Sequence, residues 1–461
     1  MDQSQRFRRV RFAGLIALII CSTVSHAFAH RKHTADMGWW KKARFGMFIH
    51  WGLYSQAAGY WHGKPVHGAG EWIMTEAHIP RRSYAKLARH FDPVKFNADA
   101  WVRLAKAAGM KYLVITAMHH EGFCMFSTKA THYNIVSDTP WGKDPLAMLD
   151  AACHKYGLRF CTYYSVENWH SRYQLPHRWN HGHPIYFPTR FAVGGAKPYL
   201  AYMKRQLSEL IHQYHPSLIW FDNSVIKPWR TPKGKYIPGW TPADAIEIWD
   251  YVRKLDPAVI MNNRLEAWVH LKGYGDYQTP EQFVPRGGYP GPWETCMTIN
   301  NTWGYKRHDN KWKSARALLL DLIRCAAGGG NFLLNVGPTG KGIIPAPEAA
   351  RLRAIGAWLR VNGEAIYGSH RSPFGKARLS FGYATQKPGK LYLEIIHWPR
   401  KGHLLLPIKN KVLAAYSLGN TKVQFALKHS SHGPIIILPP QPSSRLPSVV
   451  EVQISGKVIP R

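Results

Sequence analysis

Eight apolar runs recur between residues 45 and 337, and they limit this 461-residue chain more than anything else in it. They are Phe45 to Trp51, Tyr112 to His119, Arg159 to Ser165, Ser217 to Asp222, Val259 to Arg264, Gly275 to Thr279, Cys296 to Asn300 and Asn331 to Val336. Several are continuous rather than alternating, as strands read when both faces are buried. Helical periodicity fills the gaps. Residues 98–108 place Trp101, Leu104, Ala105 and Ala108 on one face ahead of Gly109. Further helices are expected over about 314–327 and 348–362. Eight strands alternating with helices predict an α/β fold, a (β/α)8 TIM-like barrel over residues 30–367.

Past Tyr367 the texture changes. The segments 391–398, 403–408, 412–418, 423–427, 435–438 and 449–454 are short, separated by turn residues, and lack a helical period. They predict a C-terminal antiparallel β-sandwich over 368–461.

The N-terminus carries Arg6, Arg8, Arg9 and Arg11, an apolar run from Phe12 to Ile20, and Ala27-Phe28-Ala29. That order predicts a signal peptide over 1–29 and an exported protein, periplasmic or secreted. The run is too short to span a membrane, and no transmembrane segment is expected in the mature chain. Outside the signal five cysteines remain, an odd number without CxxC spacing, so buried free thiols are expected. The formal net charge is +34. Its basic residues are scattered, with no basic tail and no nucleic-acid module, so nucleic acid is not an expected partner. A uniformly basic exported protein accounts for the charge, and weak adsorption to anionic polysaccharide is the alternative.

Chemistry gathers at the strand ends. Ser217-Leu218-Ile219-Trp220-Phe221 leads into Asp222, a carboxylate at a strand tip beside an aromatic wall. This suits attack on a sugar carbon. His50 and Trp51 follow the first strand, and His119-His120-Glu121-Gly122-Phe123 follows the second. Tyr163-Tyr164-Ser165 closes the third, Arg264 the fifth, and Gln278-Thr279-Pro280-Glu281 follows the sixth. Any one of these could be structural; their recurrence on successive strands points to a rim site. His119-His120 and His181-Gly182-His183 lack zinc-site spacing, so no metal is expected. The glycine-rich stretches 328–331 and 337–342 lack the order of a phosphate loop and read as turns.

Several blocks together closely resemble family 29 glycoside hydrolases, the retaining α-L-fucosidases. They are residues 39–52 (WWKKARFGMFIHWG), Gly70-Glu71-Trp72, His119 to Phe123, Trp220-Phe221-Asp222, Thr279-Pro280-Glu281, Trp293-Glu294 and residues 331–338 (NFLLNVGP). The resemblance covers about residues 36–370 in order. It implies exo-acting hydrolysis of terminal α-L-fucosyl groups on glycans, with no cofactor and with fucosylated oligosaccharides or glycoconjugates as partners. Asp222 is the implied nucleophile and Glu281 the acid/base, with Glu294 in reserve. His50, Glu71, Trp72, His119, His120, Trp220 and Arg264 are the implied sugar-binding residues. Tyr163 is the implied tyrosine beside the nucleophile, but strand neighbours face opposite ways and Tyr164 is the alternative. Two departures stand out: Asn223 follows the nucleophile where many relatives have glycine, and Ile73 takes a place where an aromatic is common. Ile73 is expected to alter the leaving-group side. A non-catalytic sugar-binding relative and a basic binder of anionic envelope polymers are the competing readings.

Overall fold

The computed structural model describes residues 35–178, 186–222, 225–266, 274–377, 379–418, 423–442 and 445–461. The expected signal peptide and Asn223 lie outside them. Seven parallel strands form one sheet: β1 (Phe45–Ile49), β2 (Tyr112–Met118), β3 (Arg159–Ser165), β4 (Leu218–Asp222), β5 (Ile260–Met261), β6 (Glu294–Met297) and β7 (Asn331–Val336). Their order is β5-β4-β3-β2-β1-β7-β6.

The gap between β5 and β6 is crossed by residues 277–281, which correct the expected sixth strand. Only single parallel bridges form, Asn262 with Tyr277, Gln278 with Trp293 and Glu281 with Cys296. Pro280 and Pro292 lie in and beside this stretch, and each lacks a backbone donor. Ladder bonds continue where donors exist: Asn263 N to Tyr277 O at 3.1 Å, Glu294 N to Gln278 O at 2.9 Å, and Cys296 N to Pro280 O at 3.1 Å. The sheet therefore closes on itself. The expected fifth strand also shortens to two residues, because Asn263–Leu265 turns into a 3-10 helix. The seventh shifts to begin at Glu294.

Helices cover the outside: α1 (Ala98–Ala107), α2 (Pro145–Tyr156), α3 (Lys197–Tyr214), α4 (Pro242–Leu255), α5 (Ala315–Ala327) and α6 (Ala346–Asn362). Their starts are written in the sequence. Asn97, Asp144, Thr241 and Ser314 each accept from a backbone N–H three residues on, and Thr241 with Asp244 forms a capping box. Among the described residues no α-helix follows β5 or separates residues 277–281 from β6. No described helix is long and apolar enough to cross a membrane.

Side-chain parity divides the strands. Phe48, Val114, Cys161, Tyr163, Leu218, Trp220, Ile260 and Leu333 pack together inside the barrel. Met47, Ile49, Leu113, Ile115, Tyr164, Ile219 and Phe221 face the helices. Tyr163 is thus the inward tyrosine. Tyr164 points outward and donates to Gln206 Oε1 on α3 at 2.7 Å. Ala35, Met37, Trp40 and Ala43 plug the interior at the strands' N-terminal end.

The C-terminal part contains β8 (Gly382–Lys387), β9 (Lys390–Ile395), β10 (His403–Leu405), β11 (Val412–Ser417), β12 (Ala426–Ser430), β13 (Gly433–Ile437) and β14 (Ser448–Ile454). Two antiparallel sheets, β8-β9-β14-β11 and β10-β13-β12, share a core that includes Leu391, Leu393, Val450, Val452, Leu404 and Ile436. Strand β8 was not among the expected strands; its Thr385, Gln386 and Lys387 disguise the pattern. Tyr392 and Val449 face the other way and join the barrel's core. Tyr392 also donates to Glu364 at 2.6 Å. The five cysteines at 124, 153, 161, 296 and 325 are buried free thiols.

Candidate active site

A pocket of about 160 Å³ opens at the strands' C-terminal ends. This is smaller than the roughly 300–1,000 Å³ of sites for drug-sized ligands. Each side chain in it arrives on a strand end or the loop beyond. Strand β4 carries Trp220 and Asp222, and β3 carries Tyr163 two residues before its end. His50 follows β1, and His119 with His120 follows β2.

Arg264 organises the charge. Its Nη1 donates to Asp222 Oδ1 at 3.0 Å and its Nη2 to Glu281 Oε2 at 2.8 Å. Its Nε donates to Thr279 Oγ1 at 2.8 Å, and the guanidinium lies 4.7 Å from the Trp220 ring centroid. Burial alone would lower its pKa, but Asp222 and Glu281 outweigh burial and raise it. The guanidinium is therefore fixed in charge and orientation. Tyr163 donates its hydroxyl to Asp222 Oδ2 at 2.9 Å. Burial, then the Asp222 charge, raise that phenol, which stays a neutral donor. The two acids differ in depth: the Asp222 side chain is 17% exposed and that of Glu281 is 40% exposed. Asp222 sits inside the pocket and Glu281 at its mouth.

The three histidines are held neutral. Burial lowers His50 to about 3, offset in part by its Nδ1 contact with Asn335 Oδ1 at 2.7 Å. Burial also lowers His120 to about 3. Its Nδ1 meets Ser165 Oγ at 2.6 Å, and Ser165 donates to the Glu167 carbonyl at 2.5 Å. Burial, then His120 and His50, lower His119, whose buried Nδ1 has no hydrogen-bond partner in the protein. Neutral imidazoles offer one donor and one acceptor each, the equipment for reading hydroxyl groups.

Of the expected site residues, His50, Trp72, His119, His120, Tyr163, Trp220, Asp222, Arg264 and Glu281 line one pocket. Three other positions fall elsewhere. Glu71 does not line it. Its Oε2 accepts from Thr302 Oγ1 at 2.9 Å, Trp303 N at 3.1 Å and Gly304 N at 2.9 Å. Glu71 thus holds the loop that places Trp303 in the pocket wall. Glu294 lies beneath the pocket, fully buried in the barrel. It accepts from the Tyr112 hydroxyl, with the Trp40 and Trp220 indoles and the Tyr277 hydroxyl around it. Burial raises it to about 7. Ile73 is fully buried in the outer core, because it begins a helical turn whose inner face it supplies. It does not reach the leaving-group side.

Phe48, Cys296 and Trp303 line the pocket without having been expected there. Phe48 shares the parity of His50 along one strand and was readable from it. Cys296 becomes visible only once the register of β6 is known. Trp303 had no local signal, since a long-range contact to Glu71 places it.

A closed parallel barrel with two carboxylates bridged in a sugar-sized rim pocket defines a glycoside hydrolase. A model of the family described as Alpha-L-fucosidase matches residues 23–364. Tissue alpha-L-fucosidase from Bos taurus is 30% identical over 465 residues, covering 94% of this chain and 93% of the relative. The structure of alpha-L-fucosidase isoenzyme 1 from Paenibacillus thiaminolyticus aligns with a TM-score of 0.78 at 32% identity, covering 91% of this chain and 98% of that one. A GH29 alpha-L-fucosidase from Bacteroides thetaiotaomicron, captured as a trapped covalent intermediate, aligns at 0.79 with 26% identity, covering 92% and 99%. The chain belongs to the alpha-L-fucosidase family.

Proposed function

We propose that this chain is an exported, exo-acting α-L-fucosidase that releases terminal α-L-fucosyl groups from glycans with net retention. The observation that carries the reading is the pairing of Asp222 and Glu281 on one guanidinium in a pocket sized for a single sugar ring. A shared arginine favours the short carboxyl separation of retaining enzymes, about 5–5.5 Å, over the roughly 6.5–9.5 Å of inverting ones. Asp222, deep and oriented by Arg264 and Tyr163, attacks the anomeric carbon. Glu281 protonates the departing oxygen at the mouth, where the leaving group has room. Water then enters from that side, gives its proton to Glu281, and displaces the sugar from Asp222. His50, His119 and His120, which line the pocket as neutral imidazoles, bind fucose hydroxyls. Trp72 and Trp220 supply the apolar wall, and Phe48 joins them on the floor. A hydroxymethyl-bearing sugar is excluded if the fucose methyl fills that wall.

Proton NMR of the first-formed product from an aryl α-L-fucoside tests this. Release of α-L-fucose before mutarotation is expected. Initial β-L-fucose would overturn retention, and no release at all would overturn the activity.

A further inference from the structure

Two inward strand positions carry short polar side chains that the mechanism does not use. Ser165 ends β3 two residues after inward Tyr163, and Asn335 lies on β7 two residues after inward Leu333. Both are buried, and neither lines the pocket. Each stands behind a histidine that does.

Each completes a chain of two hydrogen bonds that ends on a backbone carbonyl. Asn335 Nδ2 donates to the Trp303 carbonyl at 2.7 Å, and Asn335 Oδ1 meets His50 Nδ1 at 2.7 Å. Ser165 Oγ donates to the Glu167 carbonyl at 2.5 Å and meets His120 Nδ1 at 2.6 Å. A carbonyl can only accept, so it sets the direction of its chain. The Trp303 carbonyl takes the amide N–H and turns Asn335 Oδ1 toward His50; the reverse amide orientation would set two oxygens against each other. The Glu167 carbonyl takes the one hydroxyl proton of Ser165, which leaves only lone pairs toward His120. Both contacts therefore require an N–H at the ring's Nδ1. A neutral ring has one N–H, so Nε2 is bare in both. The surroundings of His120 agree. Its Nε2 lies 3.7 Å from Asp222 Oδ2, beyond hydrogen-bond range, while that oxygen accepts from Tyr163 at 2.9 Å.

We propose that Ser165 and Asn335 are positioning residues that lock His120 and His50 as Nδ1–H tautomers, so that each ring presents a bare Nε2 to the sugar and reads a hydroxyl as a donor. One hydroxyl supplies one proton, so the two rings consume two hydroxyls. The tautomers follow from contacts within the protein. The reading of hydroxyls rests on the fucosidase assignment and deepens it.

Nitrogen NMR of the natural chain, isotopically labelled in its histidine rings, measures the tautomers directly. At neutral pH both rings should show a protonated, pyrrole-type Nδ1 and an unprotonated, pyridine-type Nε2, with signals assigned by their loss in His50→Gln and His120→Gln. A protonated Nε2 on either ring, alone or together with Nδ1, would overturn the proposal. A second arm follows the protein's tryptophan fluorescence during titration with L-fucose and with deoxy and deoxyfluoro L-fucoses altered at one non-anomeric hydroxyl at a time. Fluorine accepts but cannot donate. At two positions the fluoro sugar should bind no better than the deoxy sugar, and both about tenfold more weakly than L-fucose, as when a buried acceptor loses its donor. Ser165→Ala frees His120 to carry its proton on Nε2. The fluoro sugar should then outbind the deoxy sugar at one of those positions, and Asn335→Ala should shift the other. A merely structural role would weaken every sugar alike. Fluoro sugars that match L-fucose at every position, or variants that leave the fluoro-to-deoxy ratio unchanged, would overturn the reading of hydroxyls as donors. Failure of L-fucose to bind would instead overturn the fucosidase reading, and the spectrum would still decide the tautomers.

Discussion

Arg264 is the residue on which the site's chemistry converges, because a single planar fork serves both acids. The two acids still differ in what each must do. In the proposed mechanism Glu281, at the mouth, acts through a proton, so removing it should matter most when the leaving oxygen is a poor one. Glu281→Ala is expected to lower kcat/KM on a fucosyl disaccharide by about 10²–10⁴-fold and far less on an aryl fucoside with an acidic phenol. Glu294→Ala should show no such dependence on the leaving group, since that carboxyl is sealed beneath Trp220. The reverse pattern would exchange their roles. At this scale Asp222, Arg264 and the histidines were legible, because a polar residue ending an apolar strand has few other places to go. Glu71 and Glu294 were not. Each stands in a family motif beside a tryptophan, and motif membership does not say whether a carboxylate faces ligand or protein.

At the scale of elements, the weakest strand position carries Glu281, the proposed acid/base. Residues 277–281 hold their place through bridges and through Asp276, whose Oδ2 accepts from Met261 N at 2.8 Å and pairs with buried Arg253 of α4. This ties the segment to β5 from below. Asp276→Ala would leave Arg253 buried without its partner, which costs about 3–5 kcal/mol in comparable buried pairs. Chemical denaturation should show a loss of that order, and kcat/KM should fall with it as Glu281 loses its register. A neutral result in both would mean that the bridges alone hold the segment. The strands themselves were legible as apolar runs. The reduction of the sixth to bridges was not, because Pro280 and Pro292 act on pairing partners far apart in the chain. Strand β8 was hidden for a different reason: its outer positions are polar, and it pairs with β9 by a tight turn.

For the whole molecule, buried titratable groups set an expected pH profile. Burial lowers His50 and His120 to about 3, against 6.5 for the free group. The unfolded chain takes up these protons first, so this contribution is complete above pH 6.5 and lost as pH falls toward 3. Burial raises Glu121 and Glu394 to about 8 and Glu294 to about 7, against 4.5. Here the folded chain holds the protons longer, so the contribution is complete below 4.5 and lost as pH rises through 7 to 8. The two trends oppose each other between 4.5 and 6.5. Thermal melts should therefore show a broad Tm maximum in that acid window and a decline on both sides; a maximum at pH 8 or above would contradict it. The division into barrel and sandwich was legible from the change in periodicity near Tyr367.

The account stands most directly on Asp222, and Asp222→Gly with added azide tests it. The variant should lose about 10⁴-fold or more of its turnover of an aryl α-L-fucoside. Azide, small enough to occupy the vacated space, should restore turnover and yield β-L-fucosyl azide. Full activity in the variant, or rescue that gives the α-azide, would contradict attack by this carboxylate.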